Sequence, residues 1–141
     1  MNSANYMPAD SVVNWARSLV EMRVAEADAA RKKACKDPKS TECVHKLRTQ
    51  VRRLRAALMD LEDCVPAAIL AARARKLAGK TAKARDAAVL TERLQRYGRF
   101  STALERAAIA RVCKKLRTQE RGAQKNAKRA MKDNELAGLL Q

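Results

Sequence analysis

The residues with the clearest chemical content lie in the run Val44-His45-Lys46-Leu47-Arg48-Thr49-Gln50-Val51-Arg52-Arg53-Leu54-Arg55-Ala56-Ala57-Leu58. His45, Arg48, Arg52 and Arg55 recur at spacings of 3, 4 and 3, which puts them on one stripe of an α-helix. Lys46 and Arg53 form a second basic line on its more exposed flank. No acid stands between Glu42 and Asp60. A solvated helix face ordinarily mixes Glu with Lys, because like charges four residues apart repel. Guanidinium groups present paired N–H donors that match the oxygens of phosphate or carboxylate. An imidazole beside an anion adds a donor and can gain charge. The chemistry expected of this stripe is therefore recognition of a polyanion.

Two further basic tracks follow. Arg73, Lys76, Lys80 and Lys83 repeat the 3, 4, 3 spacing, and Arg85 then stands next to Asp86. An acid within so basic a segment is expected either to orient neighbouring guanidiniums rather than to bind ligand, or to form an ordinary surface ion pair. Lys114, Arg117, Arg121, Lys125, Lys128 and Lys132 form one continuous face, with Val112, Leu116, Ala123, Ala127 and Ala130 opposite. The pentapeptide at 46–50 recurs at 115–119, which suggests a duplication. Independently of it, the basic faces lead one to expect the second and fourth segments to offer tracks to a shared groove.

Such tracks need rigid elements, and the breakers divide the chain into four helices. The first is expected from about Asp10 to Lys33, with Val12, Trp15, Leu19, Met22 and Ala27 on its inner face. Asp37 would cap the second, with Pro38 at its first position, where a missing N–H costs nothing. The second would run to about Asp63, with Leu47, Val51, Leu54, Leu58 and Leu61 as its core seam, spread over about an 80° arc. The third would start at Pro66 and reach Tyr97, with a kink or split at Gly79. Thr102 and Glu105 have capping-box spacing at the head of the fourth, which would continue to about Lys132. The fold expected is all-α: an antiparallel four-helix bundle of long helices. It would form one domain over 1–141, with a core over about 10–132 and a frayed tail at 133–141 in which Leu136, Leu139 and Leu140 could dock.

The bulk numbers agree. In 141 residues there are 31 Lys+Arg against 15 Asp+Glu, a net charge of +16, with 4 Gly and 3 Pro. Residues 1–30 carry a net −2 and residues 31–141 a net +18. An excess of that size opposes compaction, so an anionic partner is implied. No stretch has the roughly 18 apolar residues of a membrane span, and no signal peptide is recognisable, so a cytoplasmic protein without a membrane partner is expected. Cys35, Cys43, Cys64 and Cys113 show no CxxC pair and read as reduced, packed residues. Zinc held by Cys35, Cys43 and His45 would lack a fourth ligand. No metal site and no cofactor are expected.

The run from Val44 to Leu58 resembles the signature helix of the CHAD family (conserved histidine α-helical domain), which reads roughly V-H-x-x-R-V-x-x-R-R-L-R-x-x-L. The stretch Arg85-Asp86-Ala87-Ala88-Val89-Leu90 is similar to the family's second element, R-D-x-D-V-L after an L-G pair. Here Thr49 replaces a valine, Thr81-Ala82 stand for L-G, and Ala88 replaces the second Asp. Together the two elements place residues 37 to about 130 on the family framework. The resemblance implies binding of inorganic polyphosphate in a basic groove or pore, without catalysis. It implies His45, Arg48, Arg52 and Arg55 as the ligand-facing stripe, with Arg85 from the second element. Lys46, Arg53, Lys76, Lys80, Lys83, Lys114, Arg117, Arg121 and Lys125 complete the expected binding set. The family commonly has two four-helix halves, and this chain has length for one, so a homodimer is expected by analogy. Association with polyphosphate granules is a corollary.

The main rival is a sequence-nonspecific nucleic-acid binder, whose electrostatics would be the same. The aromatics are only Tyr6, Trp15, Tyr97 and Phe100, and they offer no stacking platform for single strands. Catalysis through His45 lacks a carboxylate cluster, a Gly-rich phosphate loop and a second histidine. A scaffold that docks acidic protein surfaces is the remaining alternative.

Overall fold

The structure, a computed structural model, describes residues 9–139. It is all-helical over α1 (Ala9–Lys36), α2 (Thr41–Asp60), α3 (Ala68–Gly98) and α4 (Ala103–Asp133). Short turns join antiparallel neighbours into a four-helix bundle. The α3–α4 and α1–α2 pairs pack most extensively, α2–α3 less and α1–α4 least, whereas α2 and α4 lie diagonally and do not touch. No helix among the described residues is long and apolar enough to cross a membrane.

The ends follow from local chemistry. Ser40, not Asp37, caps α2: its Oγ accepts the Cys43 N–H at 3.2 Å. Asp37 instead accepts the Ser40 N–H at 3.2 Å and shapes the turn, so Pro38 lies in that turn rather than at the first helical position. Helix α2 stops at Asp60, three residues short of expectation, and α3 begins at Ala68, two residues after Pro66. At the head of α4 the capping box forms as its spacing indicates. The Thr102 hydroxyl accepts the Glu105 N–H at 3.3 Å, and the Glu105 carboxylate accepts the Thr102 N–H at 2.7 Å. These hydrogen bonds hold the exposed Glu105 carboxyl below its ordinary range. Helix α3 is continuous through Gly79, because one glycine costs about 1 kcal/mol of helix propensity, which packing readily offsets.

Leu47, Val51, Leu54 and Leu58 of α2 are buried, and Leu61 is partly so, as the seam requires. With Leu70, Ala74 and Leu77 of α3, Ala130 and Met131 of α4, and Ala16, Val20, Val24, Ala27 and Ala34 of α1 they form one continuous core cluster. Leu54 is fully buried at the centre of this core. Leu54→Ala should lower stability by about 2–5 kcal/mol, the transfer and cavity cost of such a deletion. The readout is a lower urea midpoint at unchanged slope; an unchanged midpoint would remove Leu54 from the core.

Two inner faces differ from expectation. On α1 the buried line is Ala16, Val20, Val24, Ala27 and Ala34, while Val12, Trp15 and Met22 are exposed and Leu19 is half-buried. Small residues let α1 sit close to its neighbours, and the larger apolar groups fall on the outer flank. On α4 Cys113 is buried and Val112 is exposed.

The chain beyond α4 is docked, not frayed. Leu136 is fully buried, its N–H donates to Asp28 Oδ1 at 3.3 Å, and Arg73 Nη1 donates to the Glu135 carbonyl at 3.1 Å. Asn134 Nδ2 closes the helix end on the Ala130 carbonyl at 2.7 Å. Leu139 packs against the core, and Leu140 lies outside the described residues. Asp28, only 3% exposed, accepts from Arg31 Nε at 2.7 Å and lies 3.0 Å from Lys32 Nζ. Arg31 in turn donates to the Met131 carbonyl at 2.8 Å. One buried ion pair thus ties α1 to the end of α4 and to the tail.

Candidate polyanion groove

The α2 seam turns Leu47, Val51, Leu54 and Leu58 inward, which fixes the stripe beside it on the flank toward α3. Across from it α3 presents small side chains: Ala71, Ala78, Gly79 and Ala82. The result is a cavity of about 650 Å³ whose walls carry His45, Arg48, Arg52 and Arg55 from α2 and Arg75, Arg85 and Asp86 from α3. Gly79 is not demanded by steric closeness, since a Cβ there would meet nothing within 4 Å. It widens the floor.

The cavity continues at both ends. Toward the α2–α3 turn it shares Arg52, Arg55 and Arg75 with an apolar end of about 410 Å³ formed by Leu58, Met59 and Pro66. Toward the α1–α2 turn it shares His45, Arg48 and Arg85 with a mouth of about 740 Å³ bordered by Pro38, Ser40 and Gln124. The groove therefore runs the length of α2, about 30 Å at 1.5 Å per residue.

Its electrostatics are one-sided. Some cations elsewhere are partnered: Arg17 with Glu21, Arg23 with Glu26, Arg31 and Lys32 with Asp28, and Arg96 with Glu92, whereas the basic ridge of α4 is as unpaired as the groove. Among the described residues Arg48, Arg52, Arg55, Arg75 and Arg85 form no ion pair and donate no hydrogen bond within the chain. Asp86, expected to orient a guanidinium, makes no such pair. Five free guanidiniums and an exposed imidazole thus line one channel; Asp86 opposes them in its central section, Glu62 at one end and Glu42, itself paired with Lys46, at the other. Donors spread along a groove of this length suit a chain of phosphoryl oxygens more than a single compact anion.

The chain from residue 18 to residue 141 matches the family model described as the CHAD domain. The chain belongs to the CHAD domain family. The match reaches beyond the two motifs, because it also takes in most of α1 and the docked tail. No curated protein and no solved structure matches the chain.

The CHAD signature helix is α2, and the second CHAD element supplies the groove's Arg85. The remaining basic residues are distributed over other faces. Lys46, on the outer flank, pairs with Glu42 at 2.6 Å, which draws the Glu42 carboxyl down and the Lys46 ammonium up from their ordinary values. Arg53 is exposed and outside the groove lining. Lys76, Lys80 and Lys83 lie roughly 100–160° around α3 from the middle of the groove face, toward the side where Arg73 meets Glu135. Lys114, Arg117, Arg121 and Lys125 form an exposed ridge on α4. A groove shared by α2 and α4 is excluded by their diagonal placement; α3 faces α2, and α4 reaches the groove only through Gln124.

Arg75 was not singled out by the sequence reading, because it belongs to no basic run. Its signal is the small-residue line Ala71, Ala78, Gly79 and Ala82, which shares its flank of α3. Of that line Ala71 and Ala78 also pack partly against the core, and all four residues border the cavity opposite α2. Among the described residues no group of three His, Cys, Asp or Glu is placed to hold a metal ion, and all four cysteines are free thiols.

Proposed function

We propose that this chain binds inorganic polyphosphate along the α2–α3 groove and does not turn it over. The CHAD domain is associated with polyphosphate binding. The observation that carries the reading for this chain is the row of five unpaired guanidiniums along a single open channel. Polyphosphate bears about one negative charge per unit, and neutralising it releases condensed counterions, as for nucleic acids. His45, Arg48, Arg52, Arg55, Arg75 and Arg85 are the contacts proposed in the groove. Lys46, Arg53, Lys76, Lys80, Lys83, Lys114, Arg117, Arg121 and Lys125 contribute potential from the surrounding faces. A binding role rather than catalysis fits a channel whose centre holds one histidine and one carboxylate, too few for paired acid and base work. The reading carries with it a cytoplasmic location at polyphosphate granules, which a fluorescent fusion imaged against stained granules would test.

The α4 ridge favours the rival reading, since an exposed basic track follows a duplex backbone as well as any polyanion. Competition separates the two. Long-chain polyphosphate should outcompete duplex DNA and structured RNA by at least about tenfold at roughly 0.15 M salt, where surface electrostatics are screened beyond about 8 Å. Equal or stronger nucleic-acid binding would overturn the polyphosphate reading.

We also propose a homodimer through the outer face of α1. Two chains of charge +16 repel, and residues 1–30, at net −2, are the segment where that repulsion is weakest. The exposed Val12, Trp15 and Met22 give this face its apolar surface. Trp15→Glu should convert a dimer to a monomer in sedimentation at unchanged helicity; a wild-type monomer at high concentration would refute the interface.

A further inference from the structure

Helices α3 and α4 are each 31 residues long and α2 is 20. The turn between α1 and α2 lies beside Ala84, Arg85 and Ala88 of α3. The last ten residues of α3 therefore run on past that turn, about 15 Å at 1.5 Å per residue, with the start of α4 beside them. This projecting hairpin is held by its own contacts. Cys113 and Thr91 are buried there yet stand outside the main core, and Ile109 sits over Gly98.

Its tip carries the two most exposed large apolar side chains among the described residues, with Tyr97 beside them in sequence. Phe100 is 88% exposed, Leu104 79% and Tyr97 63%. The local cations are all arginine: Arg93, Arg96, Arg99, Arg106 and Arg111. Arg96 is paired with Glu92 at 2.9 Å, and Arg106 donates to the Ser101 carbonyl at 2.7 Å, which stiffens the turn. Glu105 is engaged by the capping box. Arg93 and Arg99 remain free beside the three apolar side chains.

Monomer surfaces rarely leave large apolar groups clustered without use. A second copy is a poor occupant, since two arginine-ringed tips on chains of net +16 would meet head-on. A nucleic-acid track is also a poor fit, because the patch is a convex point and one of its three members is aliphatic. A convex apolar point inside a ring of cations suits the interface of an anionic bilayer. There the side chains enter the headgroup boundary and the guanidiniums stay with the phosphates. We propose that the α3–α4 tip is a peripheral docking point for anionic lipid membranes, inserting Phe100, Leu104 and Tyr97 at the interface without spanning it. The sequence offered no membrane partner, because the patch comes from two helix ends and not from an apolar run. The inference is independent of the polyphosphate reading, whose groove lies elsewhere on α3.

The test uses vesicles of phosphatidylglycerol and phosphatidylcholine against phosphatidylcholine alone. In a Trp15→Phe background, Phe100→Trp should shift its emission to the blue on anionic vesicles and not on neutral ones. Phe100→Ser with Leu104→Ser should weaken cosedimentation with anionic vesicles at least tenfold at unchanged helicity. Arg48→Ala with Arg52→Ala should retain the blue shift. Binding without a blue shift, or binding unchanged in the Phe100/Leu104 variant, would reduce the association to adsorption by the basic surface and overturn the proposal.

Discussion

Replacing Arg48 and Arg52 together with alanine is expected to weaken polyphosphate binding at least tenfold while leaving helicity and thermal midpoint near those of the wild type. Both guanidiniums line the central cavity, and neither is paired within the chain. Truncating them breaks no ion pair among the described residues and removes two cations that repel their neighbours. Each charge-assisted hydrogen bond to phosphate is worth about 1.5–3 kcal/mol, so losing two groups exceeds the 1.4 kcal/mol of a tenfold change. Competition against duplex DNA gives the second readout: a groove built for polyphosphate loses preference as well as affinity. A variant that unfolds would instead give these arginines a structural role. A variant that binds polyphosphate as before would move the site to another face, with the α4 ridge as the next one to test.

The second large effect is on stability. Asp28→Ala is expected to cost about 3–5 kcal/mol, the penalty for leaving one partner of a buried ion pair uncompensated. Arg31 is nearly fully buried and would keep only the Met131 carbonyl. The Leu136 N–H would lose its acceptor, so the tail should loosen with the pair. Replacing both members by apolar residues, Asp28→Leu with Arg31→Met, should recover much of the loss, because no unpaired charge is then buried. Equilibrium urea unfolding of the two singles and the double measures the coupling directly. A cost below about 1 kcal/mol for Asp28→Ala, the scale of an exposed pair, would show that the pair is solvated.

The same carboxylate sets a pH dependence. Burial pushes the Asp28 carboxyl up, but hydrogen bonds from Arg31, Lys32 and the Leu136 N–H outweigh it and leave it below the ordinary value of 3.8. A folded-state value below the unfolded one means that its contribution is complete above about pH 4 and is lost as pH falls through the folded value. The wild type should therefore lose stability more steeply than Asp28→Ala below pH 4. Parallel acid-unfolding curves for the two would refute the assignment.

How much of this was legible beforehand differs from helix to helix. The faces of α2, though not its ends, were readable nearly residue by residue, because strongly apolar and strongly basic positions alternate at helical spacing and only one rotation buries the former. That rotation also fixed the stripe His45, Arg48, Arg52 and Arg55 on the flank next to the seam. The capping box at Thr102 was equally readable, since both of its hydrogen bonds are made within four residues. Helix α1 was not. Ala16, Val20, Val24 and Ala27 repeat at helical spacing just as Val12, Trp15, Leu19 and Met22 do. Size favoured the second line, whereas close packing against the neighbouring helices selected the first. Periodicity states that a helix has an apolar side but cannot choose between two such sides.

The sequence alone thus determined an all-helical chain, the core seam of α2 and the row of cations bound to it, because these depend on contacts within about one helical turn. Tertiary structure decided the rest. It set α3 rather than α4 opposite that row, which brought Arg75 and Arg85 into the groove and left Lys76, Lys80, Lys83 and the α4 ridge on other faces. It also buried Asp28 and Arg31 and docked Leu136, joining residues about a hundred positions apart. The physical reason is the same throughout. Local spacing limits each helix to one or two rotations about its own axis, while the choice between them, and of neighbour, depends on which surfaces fit at a distance. No run of residues on a single helix records that fit.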